Sequence, residues 1–113
     1  MATTITGNFP NTTERVALNA TAANCTQVTL PEWVRSCAIT FVQTDGATAD
    51  TGDLTFAGTD GAAIGDDTMP IGSGGIYSFS IRPVGRAVDG LISIYVTAGT
   101  NSAYCHVHCY GAE

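Results

Sequence analysis

Near residue 105 the sequence contains the segment CHVHC, in which Cys105 and Cys109 bracket His106 and His108. Thiols and imidazoles are the usual protein ligands of zinc. If the segment is an extended strand, its side chains alternate, so the cysteines point to one face and the histidines to the other. Cys105 and Cys109 would then be about 13 Å apart at ~3.3 Å per residue, whereas sulfurs that share one zinc lie within about 4 Å of each other. The pattern therefore argues against one zinc ion bound by all four side chains.

The chain has two further cysteines, Cys25 and Cys37, so three sets of disulfide pairings exist in principle. The distance along the strand removes the set that joins Cys105 to Cys109, because a disulfide requires Cα atoms within about 7 Å of each other. Cys37 is in phase with the apolar residues of its predicted strand, so it can meet Cys105 or Cys109 in the core. Two interpretations stay open: four core thiols in a reducing cytosol, or disulfides formed after release into an oxidising medium.

On the same predicted strand, Tyr104, His106, His108 and Tyr110 share the face opposite the cysteines. Rings with an apolar body and a polar edge are enriched at protein interfaces. We interpret this row as a contact surface for a partner, with ordinary exposure on a sheet as the alternative. His106 and His108, about 7 Å apart on one face, are also the candidate ligands for a metal if a symmetric oligomer brings copies together.

No set of residues in the chain has the pattern of a catalytic site. Ser73 lies in a glycine-rich segment without the GxSxG spacing of a nucleophile elbow, and no lysine follows to bind phosphate. His106 and His108 lie on one strand whose cysteines face away from them, so no Cys–His pair forms. Asp66 and Asp67 are adjacent in a loop, a poor arrangement for paired acid and base roles. We expect no enzyme, no catalytic residue, and no metal or other cofactor.

The charge balance limits the possible partners. Four arginines and no lysine face ten carboxylates, which gives a formal net charge of −6 and argues against nucleic acid. Six of the seven aspartates lie between residues 45 and 67, which predicts a solvated acidic rim; a calcium site is the alternative, although no EF-hand spacing is present. No apolar run approaches the ~20 residues of a membrane helix, and the first residues lack the features of a secretory signal. We expect a soluble chain made in the cytosol, with no membrane partner.

The hydrophobic pattern predicts an all-β protein. Alternation with a period of two residues recurs between turn signals, and no stretch longer than a turn has the helical pattern. The predicted strands are residues 14–20, 25–30, 34–43, 53–57, 76–83, 91–97 and 102–110. Asp-Gly turns at residues 45–46, 60–61 and 89–90 favour antiparallel pairing. We therefore predict an antiparallel β-sandwich, jelly-roll-like, with about seven strands, or eight if residues 3–6 pair.

The domain organisation follows from the same pattern. At 113 residues the chain accommodates one hydrophobic core, which we assign to a single sandwich domain at residues 13–113. Residues 1–12 have no partner strand next to them in the sequence, so they are predicted to form an N-terminal arm. The long connection at residues 58–75 is too rich in glycine for a helix, and it is predicted to be an ordered surface loop.

Three segments together resemble a known family. They are TLPEWVRSCAITFVQTDG at residues 29–46, FAGTDGAAIGDDTMPIGSGGIYSFSIR at residues 56–82, and LISIYVTAGTNSAYCHVHC at residues 91–109. A Leu-Pro-x-Trp entry into a long strand, a middle loop rich in Asp-Gly, and Met69-Pro70-Ile71 before the next strand are the shared features. The chain resembles the small β-sandwich head decoration, or cement, proteins of tailed bacteriophages.

The resemblance implies a structural virion protein that is made in the host cytoplasm and lies on the outer capsid surface. It implies a homotrimer that bridges neighbouring copies of the major capsid protein. Residues 1–11 would then reach over a neighbour, with Phe9 and Pro10 as contacts. The cysteines and the histidine pair are not part of the family pattern.

Three other functions stay open at this point. One is a phage tail or fibre-base component of similar fold, and the second is an extracellular adhesion-type domain. The third is a module that binds a small ligand or carbohydrate, in which Trp33 stacks on a sugar; the competing interpretation of Trp33 is a lid on the core.

Overall fold

The computed structural model describes residues 2–81 and 92–111, and within these residues it contains nine strands and no helix. The strands are β1 (Ala2–Thr4), β2 (Asn11–Ala17), β3 (Thr26–Leu30), β4 (Ser36–Val42), β5 (Gly52–Thr55), β6 (Met69–Ile71), β7 (Tyr77–Ser80), β8 (Ile92–Ala98) and β9 (Tyr104–Tyr110). They form a five-stranded sheet in the order β1-β3-β8-β5-β6 and a four-stranded sheet in the order β2-β9-β4-β7. The predicted all-β sandwich is confirmed.

The connectivity from β2 onward is that of a jelly roll. Successive strands alternate between the two sheets, except that β5 and β6 are neighbours in one sheet. As a result β2, β9, β4 and β7 face β3, β8, β5 and β6 across one core, the two-sheet arrangement typical of this fold. All pairings are antiparallel apart from that of β1 with β3.

The core is built by the period-two alternation of the strands. Val28 and Leu30 on β3 and Ile94 and Val96 on β8 are fully buried, and β4 and β9 contribute their inward residues in the same way. A fully buried Val, Leu, Ile or Phe contributes about 1.5–3 kcal/mol relative to an exposed one. The largest buried side chain, Phe41 on β4, is 1% exposed and fills the space against the opposite sheet.

All seven predicted strands are present, with their ends displaced by a few residues. The predicted ends at residues 82–83 and 91, and the turn at residues 89–90, lie outside the described residues. In the predicted Asp-Gly turns, Gly46 has a φ of +75° and Gly61 a φ of +79°. Glycine adopts this conformation without strain. The predicted surface loop at residues 58–75 was partly wrong, because it contains β6. Pro70 has no N–H to donate, and β6 is accordingly an edge strand.

Residues 2–12, the described part of the predicted N-terminal arm, are attached to the sandwich, and residues 2–4 form the additional strand that the sequence left open. Ala2–Thr4 pairs in parallel with β3, Ile5 N donates to Thr29 O at 2.9 Å, and the Ile5 side chain is only 2% exposed. Glu14 then accepts hydrogen bonds from the backbone of Thr6 at 3.2 Å and of Gly7 at 2.9 Å. Ile5 anchors the segment in the core, and a boundary at residue 12 would divide β2.

Candidate contact surface

The alternation predicted for the CHVHC segment is confirmed in β9. Cys105, Val107 and Cys109 are 0% exposed and lie in the core. The opposite side chains form the ring row, defined as Tyr104, His106, His108 and Tyr110, on the outer side of the four-stranded sheet. Tyr104, His106 and His108 are half-buried, whereas Tyr110 is 41% exposed.

The strands beside the ring row place small, uncharged side chains on the same outer face. The residues in register with the row are Asn11, Thr13, Arg15 and Ala17 on β2 and Ser36, Ala38, Thr40 and Val42 on β4, with Ser78 and Ser80 on β7 next to them. Among these described strand residues, Arg15 is the one charged side chain. We call this set, together with the ring row, the outer face.

Specific contacts hold the rings in place. Thr13 Oγ1 and His108 Nδ1 are hydrogen-bonded at 2.7 Å, which orients the imidazole and leaves Nε2 for a partner. The Arg15 guanidinium lies over the ring of Tyr104, with Cζ 4.6 Å from the ring centroid. Rings that are already fixed in the free protein lose little conformational freedom when a partner covers them.

Two shallow depressions flank Ala38 near the middle of the outer face. One, of about 260 Å³, lies between His108, Tyr110 and the serines of β7. The other, of about 180 Å³, lies between the two histidines and Ile76. Ile76 directly precedes β7 and is 69% exposed. The depressions exist because the methyl group of Ala38 is much smaller than the rings on β9. The outer face therefore has relief into which a partner's side chains can fit.

Phe9 and Pro10, predicted as contacts of an arm, lie at the end of the ring row. Gly111 N donates to Pro10 O at 2.8 Å, directly after Tyr110. The ring of Phe9 is 57% exposed and meets Trp33 edge to face, with 5.9 Å between centroids. Trp33 itself is half-buried and packs on the core cluster, which favours the interpretation of a core lid over a sugar platform.

The described residues contain no group of three or more His, Cys, Asp or Glu side chains that could hold a metal ion. Three of the aspartates instead accept hydrogen bonds from nearby groups of the chain, each at a separate place. The pKa of Asp45 is lowered to about 2 by hydrogen bonds from the Thr48 hydroxyl and from the backbone of Ala47 and Thr48. Asp60 Oδ1 accepts from Gln27 N at 2.9 Å and Asp53 Oδ1 from the Thr68 hydroxyl at 3.2 Å.

The four thiols are buried, and two of them are in contact. Cys37 Sγ donates to Cys109 Sγ at 3.7 Å across β4 and β9. Cys105 lies further along β9, and burial raises the pKa of its thiol to about 12. Cys25 lies just before β3, which belongs to the five-stranded sheet.

A second surface feature, absent from the sequence-based predictions, is the acidic-aromatic hollow, which we define by Phe56, Asp66, Asp67, Met69 and Tyr77. It measures about 390 Å³ and opens where β5 and β6 meet β7. The Phe56 ring is 51% exposed and packs edge to face on Phe79, which stacks on Tyr77, at centroid distances of 5.4 and 5.6 Å. Its members lie on β6, β7 and the loop between β5 and β6, so they meet only when the two sheets pack, and the alternation of single strands does not indicate it.

Comparison with known proteins leaves the family open. No family model matches the chain, and no curated protein matches it. A solved structure that matches is described as "Bacillus endospore appendages form a novel family of disulfide-linked pili". The aligned region covers 91% of this chain and 86% of the matched chain, at 16% identity and a TM-score of 0.37. Similarity at that TM-score does not establish a common fold. The described residues include no helix that could span a membrane.

Proposed function

We propose that this protein is a capsid decoration protein, which binds as a homotrimer to the outer surface of an icosahedral phage head and stabilises the shell. The observation that supports the proposal best is the outer face, a sheet surface with pre-oriented rings, two depressions and one charge among its described strand residues. The resemblance of residues 28–109 to head decoration proteins implies that the partner is the major capsid protein. The chain would be made in the host cytoplasm and act on the assembled virion.

The composition of the outer face favours a protein partner. Burying a charge without a counter-charge is costly in free energy. Tyr, His, Thr and Ser side chains cost less to bury, because their hydrogen-bonding groups can pair with groups of the partner. At roughly 4.8 Å between strands and 3.4 Å per residue, the four strands present roughly 19 by 23 Å of surface. That area is near half of the ~800 Å² per partner of a standard interface. Stable binding therefore needs several copies acting together, as a trimer provides.

The oligomeric state tests this proposal. We expect the purified protein to be a trimer at micromolar concentration by mass photometry or light scattering. Ala38→Glu introduces a charge between the two depressions, so it is expected to weaken the trimer or its binding to phage heads by at least tenfold. Ala47→Glu, which places the same charge in an exposed turn, is the matched control and should change neither.

Cosedimentation with purified heads and, separately, with purified tails of the virus that encodes the chain identifies the partner. Binding to heads supports the decoration function, and binding to tails alone supports a tail or fibre-base component. A monomeric protein that binds neither would refute both. If Ala38→Glu leaves assembly and head binding intact, the outer face is not the contact surface.

The acidic-aromatic hollow favours binding of a small ligand as the second candidate function. Its volume, exposed ring and paired carboxylates are features of small-molecule sites, and carboxylates accept hydrogen bonds from sugar hydroxyls. A glycan array with the wild-type protein and Phe56→Ala tests this function. Phe9→Ala removes an equally exposed ring elsewhere and serves as the control. Ligand binding that Phe56→Ala abolishes and Phe9→Ala preserves would establish the site.

A further inference from the structure

We propose that Cys37 and Cys109 are a modification site, at which the chain forms one intramolecular disulfide by exchange with a low-molecular-weight disulfide. The bond would join β4 to β9, the two central strands of the four-stranded sheet. It does not depend on the proposed function, because it follows from the register of two neighbouring strands.

The register places the two cysteines directly opposite each other. Cys37 pairs with Cys109 in the antiparallel ladder of β4 and β9, and both side chains point into the core. The two sulfur atoms are 3.7 Å apart, with the Cys37 thiol donating to the Cys109 sulfur. Only a small rotation of the side chains separates this contact from a covalent bond of about 2.05 Å.

The backbone pattern of β9 makes this a close pair. Gly111 N donates to Pro10 O at 2.8 Å and Ala103 O accepts from Leu18 N at 2.9 Å, so at both ends of β9 these backbone groups point toward β2. Alternate residues of a strand point their backbone groups to the same side, so those of Cys109 also point toward β2 and away from β4. Cys37 and Cys109 are therefore a non-hydrogen-bonded pair, whose Cα atoms are typically about 4.5 Å apart, within the range of disulfides.

The other two thiols have no comparable geometry. Cys105 lies opposite Phe41 on β4 and opposite Val16 on β2, so no cysteine faces it across either ladder. Cys25 belongs to the connection before β3, where its backbone pairs with Gly61 and Ala62. The register thus selects one pairing and leaves Cys25 and Cys105 as thiols.

The reaction is thiol–disulfide exchange. A protein thiolate attacks the small disulfide and displaces one small thiolate. The other half of the small disulfide stays bound to the protein sulfur as a mixed disulfide. The second protein thiolate attacks the protein sulfur of that mixed disulfide and displaces the second small thiolate. Each proton lost by a protein thiol is taken up by a displaced small thiolate, so two protein thiols are oxidised and one small disulfide is reduced to two thiols.

Burial determines when the exchange occurs. Cys37 is 3% exposed and Cys109 is 0% exposed, so a small disulfide does not reach them in the folded sheet. The hydrogen bond to Cys109 and burial both raise the pKa of the Cys37 thiol, which makes its thiolate scarce. Exchange is therefore expected while β4 and β9 assemble, and it should be slow once the core has formed.

The disulfide would also support the outer face. Ala38 and His108 follow and precede the two cysteines in the chain and lie opposite each other on the outer side of the same strands. A covalent link under this pair of residues would prevent β4 and β9 from separating where the depressions of the outer face meet.

Refolding in a redox buffer tests the inference. The reduced, denatured full chain is refolded with a mixture of reduced and oxidised glutathione, alkylated, and mapped by mass spectrometry. We expect one disulfide between the peptides that contain Cys37 and Cys109, and alkylation of Cys25 and Cys105 once the chain is unfolded. Cys25→Ala and Cys105→Ala are the matched controls, and both should keep the disulfide.

The thermal midpoint gives a second measurement that does not depend on mapping. Oxidation of the wild-type protein is expected to raise Tm by about 5–15 °C, because the bond closes a long loop. Cys37→Ala should abolish this difference between oxidised and reduced samples, even if its own Tm is lower. Four alkylatable thiols in protein that has refolded under oxidising conditions, or a disulfide that contains Cys25 or Cys105, would overturn the proposal.

Discussion

Replacing Gly52 by alanine should destabilise the sandwich, because the space beside its backbone is already filled. Gly52 is a buried residue of β5, and a Cβ added there would lie 2.6 Å from Cζ of Phe41 and closer still to Cε2 and Cδ2. Ordinary van der Waals contact begins near 3.4 Å. Phe41 is itself 1% exposed, so its ring has no solvent-filled space into which it can move.

The magnitude follows from two opposing effects. Forcing one methyl group into a well-packed core typically costs about 1–3 kcal/mol. Replacing glycine by alanine also restricts the unfolded chain, which offsets about 0.4–1 kcal/mol of this cost. We therefore expect Gly52→Ala to lower the free energy of unfolding by about 1–2 kcal/mol. Gly65→Ala is the control, because an added Cβ at Gly65 meets no atom within 4 Å; its stability should be unchanged or slightly higher.

Urea denaturation followed by circular dichroism measures both variants, and a double-mutant cycle with Phe41→Leu identifies the cause. Shortening the ring at Phe41 opens space at Gly52, so Gly52→Ala should cost at least about 1 kcal/mol less in the Phe41→Leu background than in the wild type. If Gly52→Ala is as stable as Gly65→Ala, or if the two changes are additive, the steric argument is wrong.

Three further predictions concern ionisable groups. The folded-state pKa of Asp45, about 2, is below its ordinary value of 3.8, so its stabilising hydrogen bonds are present above pH 4 and are lost as the pH falls toward 2. Removing the hydroxyl with Thr48→Ala should raise that pKa in an NMR titration, and an unchanged value would contradict the assignment. Asp50 is 7% exposed, and its Oδ2 has no hydrogen-bond partner among the described residues. Asp50→Asn is therefore expected to raise the free energy of unfolding by about 1 kcal/mol at pH 7, measured in urea, and a loss of stability would count against it. Cys105, with a pKa of about 12, should resist iodoacetamide at pH 8 in the native protein and react in urea, and rapid native labelling would show that the core opens at β9.

The strands and their inward faces were predictable because alternation is a local property. In β9, the spacing of Cys105, Val107 and Cys109 predicted burial of all three, and each is 0% exposed. The Asp-Gly turn at Gly46 was predictable for the same reason, since its positive φ depends on two or three adjacent residues. The prediction that the side chains of CHVHC divide between two faces follows from the same periodicity.

Elements that depend on distant partners were not predictable. The sequence left pairing of residues 3–6 open but did not indicate the partner. β1 pairs in parallel with β3, from which it is separated by the whole of β2, so no turn between neighbouring strands points to this pairing. The acidic-aromatic hollow combines Phe56, Asp67 and Tyr77 only because β5 and β7 meet at one end of the sandwich. Such juxtapositions depend on the order of strands in the sheets, and the alternation of residues within a strand does not determine that order.

The amino-acid sequence alone determined that this protein is an all-β sandwich, that its cysteines lie inside and that its ring row lies outside, because these features depend on residues adjacent in the chain. It left two partners open for Cys37, since alternation specifies a face but not a register. The tertiary structure decided between them. The antiparallel pairing of β4 with β9 places Cys109 opposite Cys37 and Phe41 opposite Cys105, and a shift of one residue would have turned every cysteine of β9 toward the outer face.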